Sequence, residues 1–146
     1  MTEPIWVLPE LVQAVHQTLL ADHGGLPGIR DQALLDSALA RPLQRAAYDD
    51  QSSVFELAAA YSYGLARNHP FIDGNKRVAL TVAAVFFELN GYSLNAPEPE
   101  TVLIYQQLAS GSLTEEELVG CLVSSVTLSR STSVIGKARE RRTSCC

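Results

Sequence analysis

The chain has 146 residues and a mass of 15.8 kDa, the length of one domain and enough to bury roughly 70% of its unfolded surface without a disulfide or metal staple. Apolar residues make up 47% and charged residues 18%, which excludes full-length disorder, collagen and coiled coil. The net charge of −5 is divided unequally: from Arg130 onward five basic residues face one acidic, which leaves six basic against fifteen acidic in residues 1–128, a body too acidic for direct DNA binding.

In chain order, Pro9 suits a first helical turn, and Leu11, Val12, Val15, Leu19 and Leu20 share one face of a helix that Gly24 and Gly25 stop. Asp31 can cap a second helix, carrying Leu34, Leu35, Ala38 and Leu39 and expected to end before Pro42. Ser53 and Glu56 form a capping box for a third, with Val54, Leu57, Ala58, Tyr61 and Leu65, closed by Pro70. A fourth helix spans about Asn75 to Asn90 and stops at Gly91. Residues 92–96 read as a short strand without an obvious partner. Pro97 and Pro99 precede a fifth helix that Gly111 ends, and Thr114 and Glu117 box the start of a sixth. The fourth helix is apolar nearly all round, through Val78, Leu80, Val82, Ala83, Ala84, Val85, Phe86, Phe87 and Leu89, so it is expected at the centre of the others. The fold class is all-α: a six-helix bundle around a central buried helix in residues 1–128, followed by a disordered basic tail, 129–146, rich in Ser, Thr and Arg.

The longest apolar run, Val78 to Phe87, is broken by Thr81 and falls short of the roughly 18 residues that span a bilayer, so no membrane contact is expected. The opening MTEPIW lacks the basic-then-apolar order of a secretory signal. Three cysteines do not make a disulfide framework. Cys121 reads as a small packed hydrophobe, and Thr143 stands where a C-a-a-X box before Cys146 needs its cysteine. The expected compartment is a reducing cytoplasm.

Chemistry concentrates in His69-Pro70-Phe71-Ile72-Asp73-Gly74-Asn75-Lys76-Arg77, where the chain enters the fourth helix. A helix start exposes unpaired N–H groups and carries about half a positive charge, so acidic side chains belong there. This sequence instead places Lys76 and Arg77 in that turn, a misplacement of about 0.3–1 kcal/mol per exposed charge. The arrangement makes sense around a multiply charged anion: free amides, a point charge from Lys76 and a two-pronged grip from Arg77 form a phosphate cradle. Asp73 can cap the helix, or hold a Mg²⁺ that bridges it to phosphate oxygens. His69, at the end of the preceding helix, titrates in the range suited to taking a proton from a hydroxyl. Read separately, these are ordinary residues: a helix-end histidine, a capping aspartate and two solvated cations. No G-x-x-x-x-G-K-[ST] loop is present, so the cradle is not a P-loop. The cluster reads as phosphoryl or nucleotidyl transfer from a nucleotide with Mg²⁺.

HPFIDGNKR resembles the signature of the Fic/Doc family, H-x-F-x-[DE]-[AG]-N-[GK]-R, and the similarity covers residues 5–125. HGGLPG at residues 23–28 and Val54-Phe55-Glu56-Leu57 resemble the Doc (death-on-curing) branch. Fic AMP-transferases resemble HPFxxGNGRxxR; here Lys76 replaces the glycine after Asn75 and Leu80 replaces the second arginine, and both departures match Doc. The resemblance implies a toxin kinase that moves the γ-phosphate of ATP or another nucleoside triphosphate to a hydroxyl of elongation factor Tu, halting translation. It makes His69 the base, Asp73 the Mg²⁺ ligand, and Gly74, Asn75, Lys76 and Arg77 the phosphate clamp, with Lys76 and Arg77 also catalytic. Arg67 matches a further Doc position. The inhibitory [ST]-x-x-x-E-[GN] helix of many Fic proteins is missing, because no Glu is followed by Gly or Asn. Restraint is then expected in trans from a Phd-like antitoxin. The alternatives are a Fic-type adenylyltransferase and a non-catalytic binding module that keeps the fold.

Overall fold

The structure, a computed structural model, describes residues 3–95 and 97–128. Among these residues, six helices and one two-stranded sheet follow in the order α1 (Pro9–His23), α2 (Gln32–Tyr48), α3 (Val54–Asn68), α4 (Asn75–Leu89), β1 (Tyr92–Leu94), α5 (Glu98–Ser110), α6 (Glu115–Ser125) and β2 (Val126–Leu128). The class is all-α, as the helical periodicity predicts. The expected tail at 129–146, with Cys145 and Cys146, lies outside the described residues. Cys121 is buried on α6.

Local chemistry accounts for the helix ends. Asp31 accepts from the Leu34 N–H at 3.1 Å and caps α2. Both predicted capping boxes form: Ser53 with Glu56 on α3, and Thr114 with Glu117 on α6. Gly24 and Gly111 close α1 and α5 with positive φ of 81° and 92°. The short strand finds its partner far along the chain: β1 pairs antiparallel with β2, Ser93 opposite Thr127. Such a partner is invisible to local patterning because each strand has three residues.

Two expectations are corrected. The second helix does not end before Pro42; it runs on to Tyr48 with Pro42 inside it and fully buried. An interior proline loses one backbone bond, and the long contact of α2 with α3 outweighs that loss. The place of central helix belongs to α3, not α4. Nine of its residues are buried, Leu57 to Ser62 and Gly64 to Ala66, and it packs against α2, α4, α5 and α6. Alanine, serine and glycine register weakly in an apolar pattern, yet they let neighbouring backbones approach. A methyl group added at Gly64 would lie 3.1 Å from the Ala38 Cα of α2. Only one face of α4 is sealed, through Val78, Ala79, Val82, Ala83, Phe86 and Phe87. Its other flank, Leu80, Thr81 and Ala84, lines a pocket. α1 packs across α4 and brings His16 to the start of that helix.

An ion cluster built on the buried Glu115 ties α2 to α6. Glu115, in the first turn of α6, receives Arg41 on one carboxylate oxygen and Arg45 Nη1 at 3.1 Å on the other. Arg41 also lies over the Tyr63 ring, 4.6 Å from its centroid. Replacing Glu115 with Ala leaves Arg41 without its carboxylate and Arg45 with only Glu56, 3.7 Å from its Nη2. Because the arginines reach solvent, the expected loss is roughly 1–3 kcal/mol, at the level of an unmet partner, below that of a sealed ion pair. Urea denaturation of Glu115→Ala against the unmodified chain measures it.

Candidate active site

The nonapeptide from His69 to Arg77 joins α3 to α4, and a second segment holds it from behind. Arg30 and Asp31 N–H groups both donate to the Pro70 carbonyl (2.7 and 3.1 Å), the Ile72 N–H donates to the Gly28 carbonyl (3.1 Å), and Ile29 bridges Phe71 antiparallel. Glycine is required on this backing strip: at Gly28, φ is 113° and an added Cβ would meet the Ile72 side chain at 2.9 Å. The segment HGGLPG is therefore the platform of the site.

Asn75 closes the loop. Its Oδ1 accepts from the Phe71 N–H and its Nδ2 donates to the Phe71 carbonyl, each at 2.9 Å. Both ends of the amide are thus engaged in the loop, which leaves the backbone N–H of Asn75 as its part in the expected phosphate clamp. Asp73 does not cap α4 either. The N-cap is Gly74, held at φ 83°, where a side chain is strained. The Asp73 carboxylate accepts from the Gly74 N–H (2.9 Å) on Oδ1 and from the Leu26 N–H (3.1 Å) on Oδ2. The Asp73 carbonyl receives Nε2 of His16 at 2.9 Å, and that buried ring stacks on Phe71 with centroids 4.0 Å apart.

The first backbone bond closing on α4 is Val78 N–H to the Gly74 carbonyl. The N–H groups of Asn75, Lys76 and Arg77 accordingly have no partner among the described residues. No acidic side chain occupies that turn, and the side chains of Lys76 and Arg77 are exposed and make no ion pair or hydrogen bond among the described residues. All three residues open onto a pocket of about 600 Å³, lined at its polar end by Asp73 to Arg77 and at its apolar end by Leu80, Ala84, Leu94 and Val102. Tyr105 forms part of its wall and its hydroxyl meets Ser62 Oγ at 2.7 Å, while Ser62 donates to the Ala79 carbonyl at 2.8 Å. Burial pushes the Tyr105 phenol up to about 12, so it holds its proton near neutral pH.

His69 stands outside the pocket lining, on the exposed part of the loop, in the left-handed conformation (φ 50°, ψ 55°). Its ring makes no hydrogen bond among the described residues. Partial burial, and then the charges of Arg30, Lys76 and Arg67, hold the imidazole below its ordinary 6.5, so it is neutral and able to accept a proton at neutral pH. Arg67, expected at the phosphates, turns away: Nη1 donates to the Ala109 carbonyl at 3.3 Å, near the end of α5. Its charge also bears on His69.

A divalent cation fits the donor set at Asp73. Each carboxylate oxygen has one N–H partner and a lone pair left, the side chain is exposed, and it adjoins the free amides. The described residues contain no group of three or more His, Cys, Asp or Glu able to cage a metal. One carboxylate plus substrate phosphates and water is the usual setting of Mg²⁺. His16 and Arg30 were not singled out by sequence reasoning, because nothing local marks a buried helix-face histidine or a turn arginine as bound to a loop about 40 or more residues away.

Comparison with known proteins bears on this site. The sequence model of the Fic/DOC family matches residues 6–87, the whole nonapeptide included. A protein of Escherichia phage P1 named Protein kinase doc is 37% identical over 93 residues, covering 63% of this chain and 74% of that protein. Toxin Doc of Mycolicibacterium smegmatis is 45% identical over 75 residues, covering 50% of this chain and 57% of the relative.

Asn75→Ala removes both bonds to Phe71 and leaves a partly buried N–H and carbonyl unmet. The expected loss is roughly 1–3 kcal/mol of stability, with Asn75→Asp intermediate because it keeps the acceptor and loses the donor. Chemical denaturation of the two variants checks this order.

Proposed function

The chain belongs to the Fic/Doc family, and on that premise we propose that it is a Doc-type toxin acting as a protein kinase. It transfers a phosphoryl group from ATP or another nucleoside triphosphate to a hydroxyl of a translation factor, elongation factor Tu, and so arrests translation in the cytoplasm. The observation that carries the reading is the cradle: three N–H groups and two cations at one helix start, without partners among the described residues, opening on a pocket of about 600 Å³. That geometry and charge suit a triphosphate.

Each residue has a role that follows from its position. The N–H groups of Asn75, Lys76 and Arg77 and the two side chains bind phosphate oxygens and stabilise the charge that grows on them. Gly74 lets the backbone turn into that helix start. Asp73 would hold Mg²⁺, whose charge neutralises the phosphates when bound. His69 faces solvent, the side from which a protein hydroxyl arrives, and takes its proton. The Asn75 side chain and His16 hold the loop in shape. Leu80 lines the pocket where a Fic adenylyltransferase has its second arginine, and Lys76 fills the glycine position, so the site favours phosphoryl over AMP transfer. Restraint comes from a Phd-like antitoxin, since no inhibitory Glu motif is present. No helix among the described residues is long and apolar enough to cross a membrane.

With labelled ATP and a cell extract, the expected result is a marked protein from γ-³²P-ATP and none from α-³²P-ATP; label from the α position alone contradicts the kinase reading. His69→Ala is expected to slow transfer by roughly 10²–10⁴ and to abolish toxicity in cells; unchanged toxicity identifies a binding module. The pH dependence has a definite sign. The neutral imidazole is the working form and its pKa lies below 6.5. Activity is therefore present above that value and lost as pH falls through the lowered pKa. The acid limb of kcat/KM, which reports the free enzyme, is expected below 6.5; a limb above it contradicts His69 as the base.

A further inference from the structure

His69 is the one non-glycine residue with positive φ among the described residues. A left-handed, non-glycine backbone is strained and persists only where its surroundings over-determine it. The contacts that do so come from Arg30. Its Nε donates to the His69 carbonyl at 2.7 Å and its Nη2 to the Asn68 carbonyl at 2.9 Å. One planar guanidinium thus bonds both carbonyls at the C-terminal end of α3, where the helix leaves acceptors unmet and favours a cation. The Arg30 backbone is pinned in turn, its own N–H donating to Pro70, the residue after His69. Residues 68, 69 and 70 are therefore all bonded to Arg30, and the imidazole projects from the middle one.

We propose that Arg30 is a positioning residue for His69: its guanidinium locks the left-handed turn that aims the imidazole beside the phosphate cradle. The proposal rests on the reading of His69 as the base. Arg30 touches neither pocket nor cradle, so it acts through His69. The charge of Arg30 also acts on the imidazole, together with those of Lys76 from α4 and Arg67 from α3, all three disfavouring the protonated ring. A lysine retains the charge but cannot present two fixed, coplanar donors, so conservative substitution separates the two contributions.

The experiment compares the full chain with Arg30→Gln and Arg30→Lys. The first readout is NMR titration of the His69 imidazole, which needs no activity. The second is the pH profile of γ-phosphoryl transfer, with kcat and KM resolved; thermal melting reports that each variant is folded. In Arg30→Gln the His69 midpoint is expected to rise toward 6.5 and the acid limb of kcat/KM to rise with it. The fall in kcat is expected to approach about 10²-fold, the order that small misplacement of a reacting group produces, with KM for nucleotide essentially unchanged. In Arg30→Lys the midpoint stays near that of the unmodified chain while kcat remains depressed. Folded variants with unaltered kcat overturn the proposal, whether or not the His69 midpoint moves. A rise in KM with kcat intact also overturns it, by making Arg30 a nucleotide contact. If the unmodified chain transfers no phosphoryl group, the kinase reading fails, and the backbone still decides Arg30: His69 Cα and Cβ chemical shifts that leave the left-handed range in both Arg30→Gln and Arg30→Lys support the lock, and shifts that stay there refute it.

Discussion

Three backbone N–H groups and two side-chain cations crowd the positive pole of α4, with no acidic residue in its first turn. Each exposed cation placed there costs a helix about 0.3–1 kcal/mol, and nothing in the described part of the chain offsets it. Asp73, the nearest carboxylate, is bound to two other N–H groups and stands before the helix, not at its cap. The rest of the site is arranged so that this unfavourable pole stays open.

Keeping it open requires a stiff loop, and the loop is stiffened by groups that take no part in the chemistry. The Asn75 amide bonds Phe71 across four residues. His16 from α1 holds the Asp73 carbonyl and stacks on Phe71. Arg30 holds the carbonyls ahead of the loop. Behind these contacts, the small residues of α3 let α2 and α4 close on it, so α4 has a fixed floor. Anion binding at a helix start gains most when the donors need no rearrangement, and each of these contacts removes a freedom that binding would otherwise have to quench.

How much of this was legible in the sequence depends on range. The capping boxes at Ser53 and Thr114 and the stop at Gly24 are decided within four residues, and the structure forms them as read. The cations at 76 and 77 could be placed at a helix start because Gly74 and the apolar period after it locate that start. Pro42 defies the local rule for proline because its burial inside α2 is set by packing, which is not local. α4 outranked α3 as the central helix because leucine and phenylalanine dominate a hydropathy pattern, whereas alanine and glycine decide how closely helices pack. The family signature marks Asn75 by position, and it is folding of the loop that turns both ends of its amide to Phe71. The Arg67 guanidinium likewise meets a distant partner, the Ala109 carbonyl on α5, which no local pattern shows. His16 and Arg30 carried no signal at all, since each acts on residues that folding alone brings near.

The central claim is that the start of α4 is a receptor for a polyanion. Its most direct test is backbone amide NMR of the full chain during titration with a non-hydrolysable ATP analogue and Mg²⁺. The account predicts saturable shifts largest at the amides of Asn75, Lys76 and Arg77, weakened by added salt. Shifts absent from those three amides at saturating ligand, or centred on another surface, contradict it.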